Sequence, residues 1–467
     1  MGRARTLIFV LAIALAAAVA RAQDPPQDPP QDPPQPTPTD TQKDTTPAPR
    51  PTGLPAKIDW KFNFDAAWGS FGFANAVFND PRERARVDFG SHWFEGSVKP
   101  ALSATLVLPS SSEVYGTLSG VGERTYGSAP RLVGPDFSSF LPEDLSIGWR
   151  SGKALERLGE NALDFTVGRA PYKIGHGFLV WDGAGEGGTR GGYWSNARKA
   201  WEFAAIGRFK PAHNTVESFY LKKDDLPEHE TGSRLWGENY EYRIGENTTL
   251  GATYLRLWAR PDVDPQRDGL NVYNARAYTA PIPAAKDLTF EFEYAAERNH
   301  DALHSYAWTG QAAYELSTRT WKPKFTYRYA FFEGDNAATA ANEAFDPLFL
   351  GFHDWGTWWQ GEIAGEYFVS NSNLISHVVR AHVAPSDAVS GGLIFYQFLL
   401  DQPATYAPGV TDNHLAFEAD AYVDWKINKN FTASFTFAFA DPQKAVQQAS
   451  NRTKNFAYGM VFLAYSY

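Results

Sequence analysis

The stretch Phe417-Glu418-Ala419-Asp420-Ala421-Tyr422-Val423-Asp424-Trp425 alternates an apolar or aromatic residue with a largely polar one along its whole length. Successive side chains of an extended strand point to opposite faces, so this segment has one apolar and one polar face. The same period of two recurs on both sides of it. Phe435, Phe437 and Phe439 alternate with Ser434 and Thr436, and Phe325, Tyr327, Tyr329 and Phe331 alternate with Lys324, Thr326 and Arg328. Phe290, Phe292 and Tyr294 enclose Glu291 and Glu293. The chain ends in another alternating run, Phe456 to Tyr467, with a terminal aromatic. Segments of about ten residues, separated by Gly, Pro, Asn and Asp, continue in this way from Ile58 to the end with no intervening helical pattern.

A soluble sandwich also alternates. Three features point instead to a membrane: the unbroken extent of the pattern, the terminal aromatic strand, and aromatic residues near segment ends. Trp60, Trp93, Trp149, Trp258, Trp321 and Trp425 sit where an interfacial girdle belongs. Lipid cannot hydrogen-bond exposed backbone, so strands that cross it must close into a ring. The fold class is therefore all-β, a transmembrane antiparallel β-barrel. Nineteen segments can be marked, 356–369 among them. Single-chain bacterial barrels have even strand numbers, so eighteen strands are expected, with sixteen the fallback. A barrel of that size encloses an aqueous channel.

A mean hydropathy of -0.39 looks soluble, but polar lumen positions cancel apolar lipid-facing ones, so the average decides nothing. After Lys57 no apolar run approaches the length of a spanning helix. The absence of Cys excludes disulfides, thiolate metal sites and an acylated lipoprotein cysteine. A formal net charge of -10 argues against a nucleic-acid partner. Neither HExxH nor G-x-S-x-G occurs, and no spacing points to catalysis, a cofactor or a metal.

Ahead of the strands, Arg3 and Arg5, the apolar run Leu7 to Ala20, and Ala20-Arg21-Ala22 have the form of a Sec signal peptide at 1–22. Residues 23–57 hold three Asp-Pro-Pro-Gln repeats from Asp24 and a Thr/Pro stretch. Proline lacks an amide hydrogen, so a disordered tail is expected there. The body, 58–467, is the barrel. The expected location is the outer membrane, reached by export through the inner membrane. Tight connections such as 243–247, 210–214 and 427–430 should face the periplasm, and 171–198, 259–269, 332–355 and 400–413 should be extracellular loops.

The segment Phe345-Asp346-Pro347-Leu348-Phe349, followed by His353-Asp354-Trp355-Gly356-Thr357-Trp358-Trp359-Gln360, resembles the alginate export family of outer-membrane proteins. Val167-Gly168-Arg169 with Tyr172 and Gly175 adds to the likeness. The resemblance implies an eighteen-stranded barrel that passes an anionic polysaccharide through a basic constriction, fed by a periplasmic export partner. It also singles out the loop residues Asp346, Asp354, Trp355, Trp358 and Trp359.

A polyanion pathway needs fixed positive charge, and the planar fork of Arg suits carboxylates. By alternation Arg208, Arg256, Lys324, Arg328 and Arg380 fall opposite the apolar face and should point into the lumen, as should Arg243 near a turn. Glu291, Glu293, Glu418, Asp420 and Asp424 could simply balance them. Asp335, Glu343, Asp346 and Asp354 offer hard oxygen ligands without the spacing of a calcium loop. Three functions stay open: passage of an alginate-like polysaccharide, a general or small-solute porin, and a non-conducting barrel whose loops 171–198 and 332–355 bind at the cell surface. Membrane lipid is a partner in each.

Overall fold

A computed structural model describes residues 57–75, 91–127, 129, 137–181, 183–185, 187–280, 285–300, 302–351, 360–367, 370–451 and 453–467. The strands are β1 (Lys57–Ala74), β2 (Ser91–Val107), β3 (Glu113–Gly127), β4 (Phe137–Arg150), β5 (Leu163–Ala170), β6 (Trp201–Phe209), β7 (Asn214–Lys222), β8 (Arg234–Ile244) and β9 (Thr248–Trp258). They continue as β10 (Asn271–Thr279), β11 (Leu288–Asn299), β12 (Leu303–Glu315), β13 (Lys324–Phe332), β14 (Leu374–Ser386), β15 (Val389–Leu399), β16 (His414–Lys426), β17 (Phe431–Pro442) and β18 (Phe456–Ser466). Each pairs antiparallel with its neighbour in sequence, and β1 pairs with β18 to close the ring. Phe64 and Tyr467 exchange backbone hydrogen bonds of 3.1 and 3.0 Å at the seam. Among the described residues no helix is long and apolar enough to cross a membrane.

The alternation read in β16 is realised residue by residue. Phe417 and Trp425 are exposed on the outer wall, while Glu418, Asp420 and Tyr422 are buried toward the lumen. In β13 Phe325 and Tyr327 face outward and Thr326 and Arg328 inward. In β17 Phe435 and Phe437 are outward, and Thr436, Ala438 and Ala440 inward.

One expected segment is not a strand. Of 356–369, the described residues 360–367 make a turn and one helical turn, Ala364–Tyr367. The amides of Ile363 and Ala364 bond the Glu418 carboxylate at 2.8 and 2.7 Å, and both residues are buried. Their apolar character serves packing inside the ring, which imitates a strand pattern. Removing this segment leaves eighteen. The first strand begins at Lys57, one residue inside the expected tail; the leader and the rest of the tail, 1–56, lie outside the described residues.

Connections at one end are tight, as between β8 and β9, β14 and β15, and β16 and β17. Those after β5, β9, β13 and β15 at the other end are long, matching the expected division.

Candidate functional site

The β5–β6 connection turns into the barrel, and a bulge begins the turn. Gly168 has φ +121°, and a Cβ there would lie 2.2 Å from the Leu145 carbonyl oxygen, so only glycine fits. The register with β6 shifts between Gly168 and Ala170. Arg169, which shares its strand phase with the outward Phe165 and Val167, is thereby re-aimed onto Asp224, at 2.6 Å.

The loop then spans the lumen, touching inward residues of strands all around the ring. Tyr172 donates to Glu217 of β7 at 3.0 Å and packs at a tilt against Phe219, ring centres 4.6 Å apart. His176 lies flat on Tyr278 of β10, ring centres 4.1 Å apart, with Nδ1 3.3 Å from Glu291 of β11. Phe178 meets Phe332 of β13. The amides of Trp194 and Ser195 reach back to Glu95 of β2.

The β13–β14 connection folds in beside it. Val180 and Phe349 form a parallel bridge, with Trp181 N–H to Phe349 O at 2.8 Å and Phe349 N–H to Leu179 O at 3.0 Å. Phe345 and Phe349 are buried, the latter edge-on to Trp201 at 5.0 Å. The two loops and inward Leu221, Leu235, Leu255, Leu257 and Val272 share one apolar core at the long-loop end.

Charge is concentrated where the loops meet the wall. Asp224 accepts from Arg169, from Arg190 at 3.0 Å and from Arg198, while Arg198 also lies 3.5 Å from Glu143. Burial works against the Asp224 carboxylate, but the guanidiniums outweigh it and hold its pKa below the ordinary value. Burial likewise opposes Arg267, yet Asp346 beside it raises its pKa. Tyr172 is pushed well above the usual phenol value by burial, then by Glu217. Glu333, at the root of the second loop, rises to about 7, chiefly through burial.

The basic residues expected in the lumen divide. Arg328 points inward but is only 2% exposed and is held by Gln311 at 2.8 and 3.0 Å. Arg380 is inward and half-buried, donating to the Tyr422 hydroxyl, which His382 also bonds. Lys324 shares the face of Arg328, and its register partner is His382. Arg208 pairs with Glu217 at 2.9 Å and lies 3.7 Å from Asp164. Arg243 has the inward phase of Asn239 but is exposed at the rim of the tight-turn end.

Arg256 is a correction. Its neighbours Leu255 and Leu257 are buried in the loop core, so in this part of β9 the apolar residues face inward and Arg256 faces out. Of the motif loop, Asp346 is described. It binds Arg267 and caps the Leu348 amide at 2.8 Å, which is a structural task. Asp354, Trp355, Trp358 and Trp359 lie outside the described residues.

One inward residue escaped sequence reading. Arg276 of β10 is buried against Glu241, Thr253 and Asn274 at 2.7, 2.8 and 3.1 Å. Asn274, Arg276 and Tyr278 do alternate, but their outward neighbours Ala275 and Ala277 are too small to announce a lipid face. The Arg190–Arg198–Asp224 group lies in loops, where no period exists to be read.

The result is an eighteen-stranded ring with two long loops folded into its lumen. Among solved structures the chain is similar to Pseudomonas aeruginosa OccK7 (OpdD), with TM-score 0.52 and 10% identity over 88% of this chain and 99% of that one. OccK9 (OpdG) of the same organism gives 0.56 and 13% over 87% and 98%. A BenF-like porin from Pseudomonas fluorescens Pf-5 gives 0.56 and 11% over 88% and 98%. At these identities the likeness is one of fold. No protein-family model matches the chain, and no curated protein does.

These findings overturn the resemblance to the alginate export family. The barrels matched are Occ and Opd proteins and a BenF-like porin. The Phe345–Phe349 motif that suggested otherwise is explained by packing: its two aromatics fill the loop core, and its Asp holds Arg267.

Proposed function

We propose that this chain is an outer-membrane channel for small solutes. The observation that carries the reading is the pair of loops packed on each other inside the ring, which narrows the passage through it. The fold shared with a BenF-like porin supports it. So does the likeness to Pseudomonas aeruginosa OpdK, whose structure with vanillate gives TM-score 0.52 at 11% identity.

The tight-turn end faces the periplasm and the long loops face outward. Residues 1–22 act as the export leader, so the mature protein begins near Gln23, and N-terminal sequencing checks this. Inside, Lys324, Arg380 and Arg208 lie on the partly exposed lower lumen and meet a charged solute. Arg328, almost fully covered, supports the wall behind them, and Arg243 stands at the exit. Asp424 and Glu291 lie on other sectors of the same wall, so the lumen carries both signs. The cations are the part of it that draws small anions.

The test is a planar bilayer under a salt gradient. Conductance with a reversal potential favouring anions is expected, and Arg380→Ala with Lys324→Ala should move it toward zero. A cation-selective wild type removes the anion assignment. Absence of any conductance removes the channel.

A further inference from the structure

The outer wall at the long-loop end carries cations that the lumen cannot use. Arg256, Asn271, Arg298 and His304 are successive cross-strand partners on β9, β10, β11 and β12 and form one level row. Arg256 donates to Asn271 Oδ1 at 2.9 Å, and Arg298 donates to the Glu297 and Ser305 carbonyls at 2.6 and 3.0 Å. These bonds orient both guanidiniums without neutralising them. Among the described residues neither makes an ion pair with a carboxylate.

The next outward row, one step toward the tight-turn end, is aromatic. Tyr254 pairs with Tyr273, Tyr273 with Ala296, and Ala296 with Tyr306. The Tyr254 and Tyr273 rings are 5.4 Å apart, and Tyr273 is 53% exposed. Ala296 leaves a notch in this shelf beneath Arg298. Two carboxylates limit the positive field: Glu238 stands outward on β8, and Glu333 interacts with Arg298 through space.

A fork of fixed guanidinium N–H groups above an aromatic shelf, at a membrane boundary, matches an anionic headgroup with apolar chains below it. We propose that this patch seats the phosphate of a phosphorylated glycolipid of the outer leaflet, with its chains lying against the aromatic wall. The inference rests on the outer-membrane reading above, which sets this row at the outer leaflet.

The full chain in detergent is titrated with diphosphoryl lipid A and with the same lipid stripped of its phosphates, and binding is followed by native mass spectrometry. The phosphorylated lipid should bind more tightly. Arg256→Ala and Arg298→Ala should each weaken it by about tenfold, the value of one charge-assisted hydrogen bond, while Arg243→Ala at the opposite rim should not. Equal binding of the two lipids, or undiminished binding by the double variant, overturns the proposal. Displacement of the lipid by inorganic phosphate at equal concentration would reassign the patch to a free anion and overturn it as well. Channel conductance is recorded on the same preparation: conductance without lipid selectivity sinks the patch alone, whereas loss of conductance in the wild type sinks the channel reading beneath it.

Discussion

Replacing Asp224 by Asn removes the charge that three arginines share while keeping the side-chain shape. Arg169, Arg190 and Arg198 all converge on it, and the Arg198 side chain is nearly enclosed. Breaking a buried ion pair by removing one partner costs about 3–5 kcal/mol, because the other charge is left behind. Glu143 still lies 3.5 Å from Arg198, and an Asn oxygen can accept one bond, so the lower end, about 3 kcal/mol, is expected. The cost falls on the loop rather than on the ring, since every strand pairing survives. A local opening constant should therefore rise about a hundredfold, at about 1.4 kcal/mol per factor of ten. The assay is amide hydrogen exchange over 183–200, where Gly185 N–H bonds Asp224 O and Lys199 and Ala200 N–H bond Glu143. The pH dependence has a fixed sign. Asp224 has a lowered pKa, so its contribution is present above the ordinary carboxylate range and is lost as pH falls through the folded value. Wild-type protection should weaken on acidification, and that of the variant should start weak and change little. Exchange over 183–200 that is unchanged in Asp224→Asn would mean the arginines are solvated where they stand, and the reasoning would be refuted.

Other expectations can be checked alongside. Glu333 titrates near 7 because burial disfavours its charge, so protonated Glu333 suits the folded loop and its stabilisation is lost as pH rises from the ordinary carboxylate range through about 7. Exchange around 333–345 should slow between pH 8 and pH 5 beyond the intrinsic chemistry, and Glu333→Gln should abolish that difference. Phe349→Ala should cost about 3–5 kcal/mol of loop packing and raise single-channel conductance, with the ring still resistant to denaturation by detergent; unchanged conductance would show that the loops do not set the constriction. Gly168→Ala forces a Cβ against the Leu145 carbonyl and should reduce the yield of assembled barrel, measured by gel mobility before and after heating.

What could be read in advance depended on where the apolar residues had to go. In β13, β16 and β17 the large outward side chains are Phe, Tyr, Val and Trp facing lipid, while Lys324, Thr326, Arg328, Glu418, Asp420, Asp424, Ser434 and Thr436 point inward, where the lumen offers solvent or charged partners. Period and phase were both legible there. Toward the long loops the rule inverts. Leu255 and Leu257 are apolar because two loops cover them from inside, so a phase assigned from hydrophobicity put Arg256 on the wrong face. The same covering explains the false strand at 356–369, whose Ile363 and Ala364 are buried in a loop. Arg276 was invisible for the opposite reason, with alanines on its lipid side. The Asp224 group joins residues from separate connections, and its assembly is a property of the closed ring. The family resemblance erred by assigning function to Phe345–Phe349, a motif that packing alone explains.

The seam between β1 and β18 has a consequence for the order of events. The two strands are nearly as far apart in sequence as the described barrel allows, and their pairing cannot form until Phe456–Ser466 has been synthesised. Every other strand pairing joins neighbours in the chain and can precede it. Closure is thus a single late event of very high contact order, and until it happens β1 presents an unpaired edge. Once Phe64 and Tyr467 have met, the ring no longer distinguishes this junction from its tight turns. A circularly permuted chain opened at Asp387 and joined across the old seam encodes the same cylinder, with β14 and β15 inheriting the task of finding each other last.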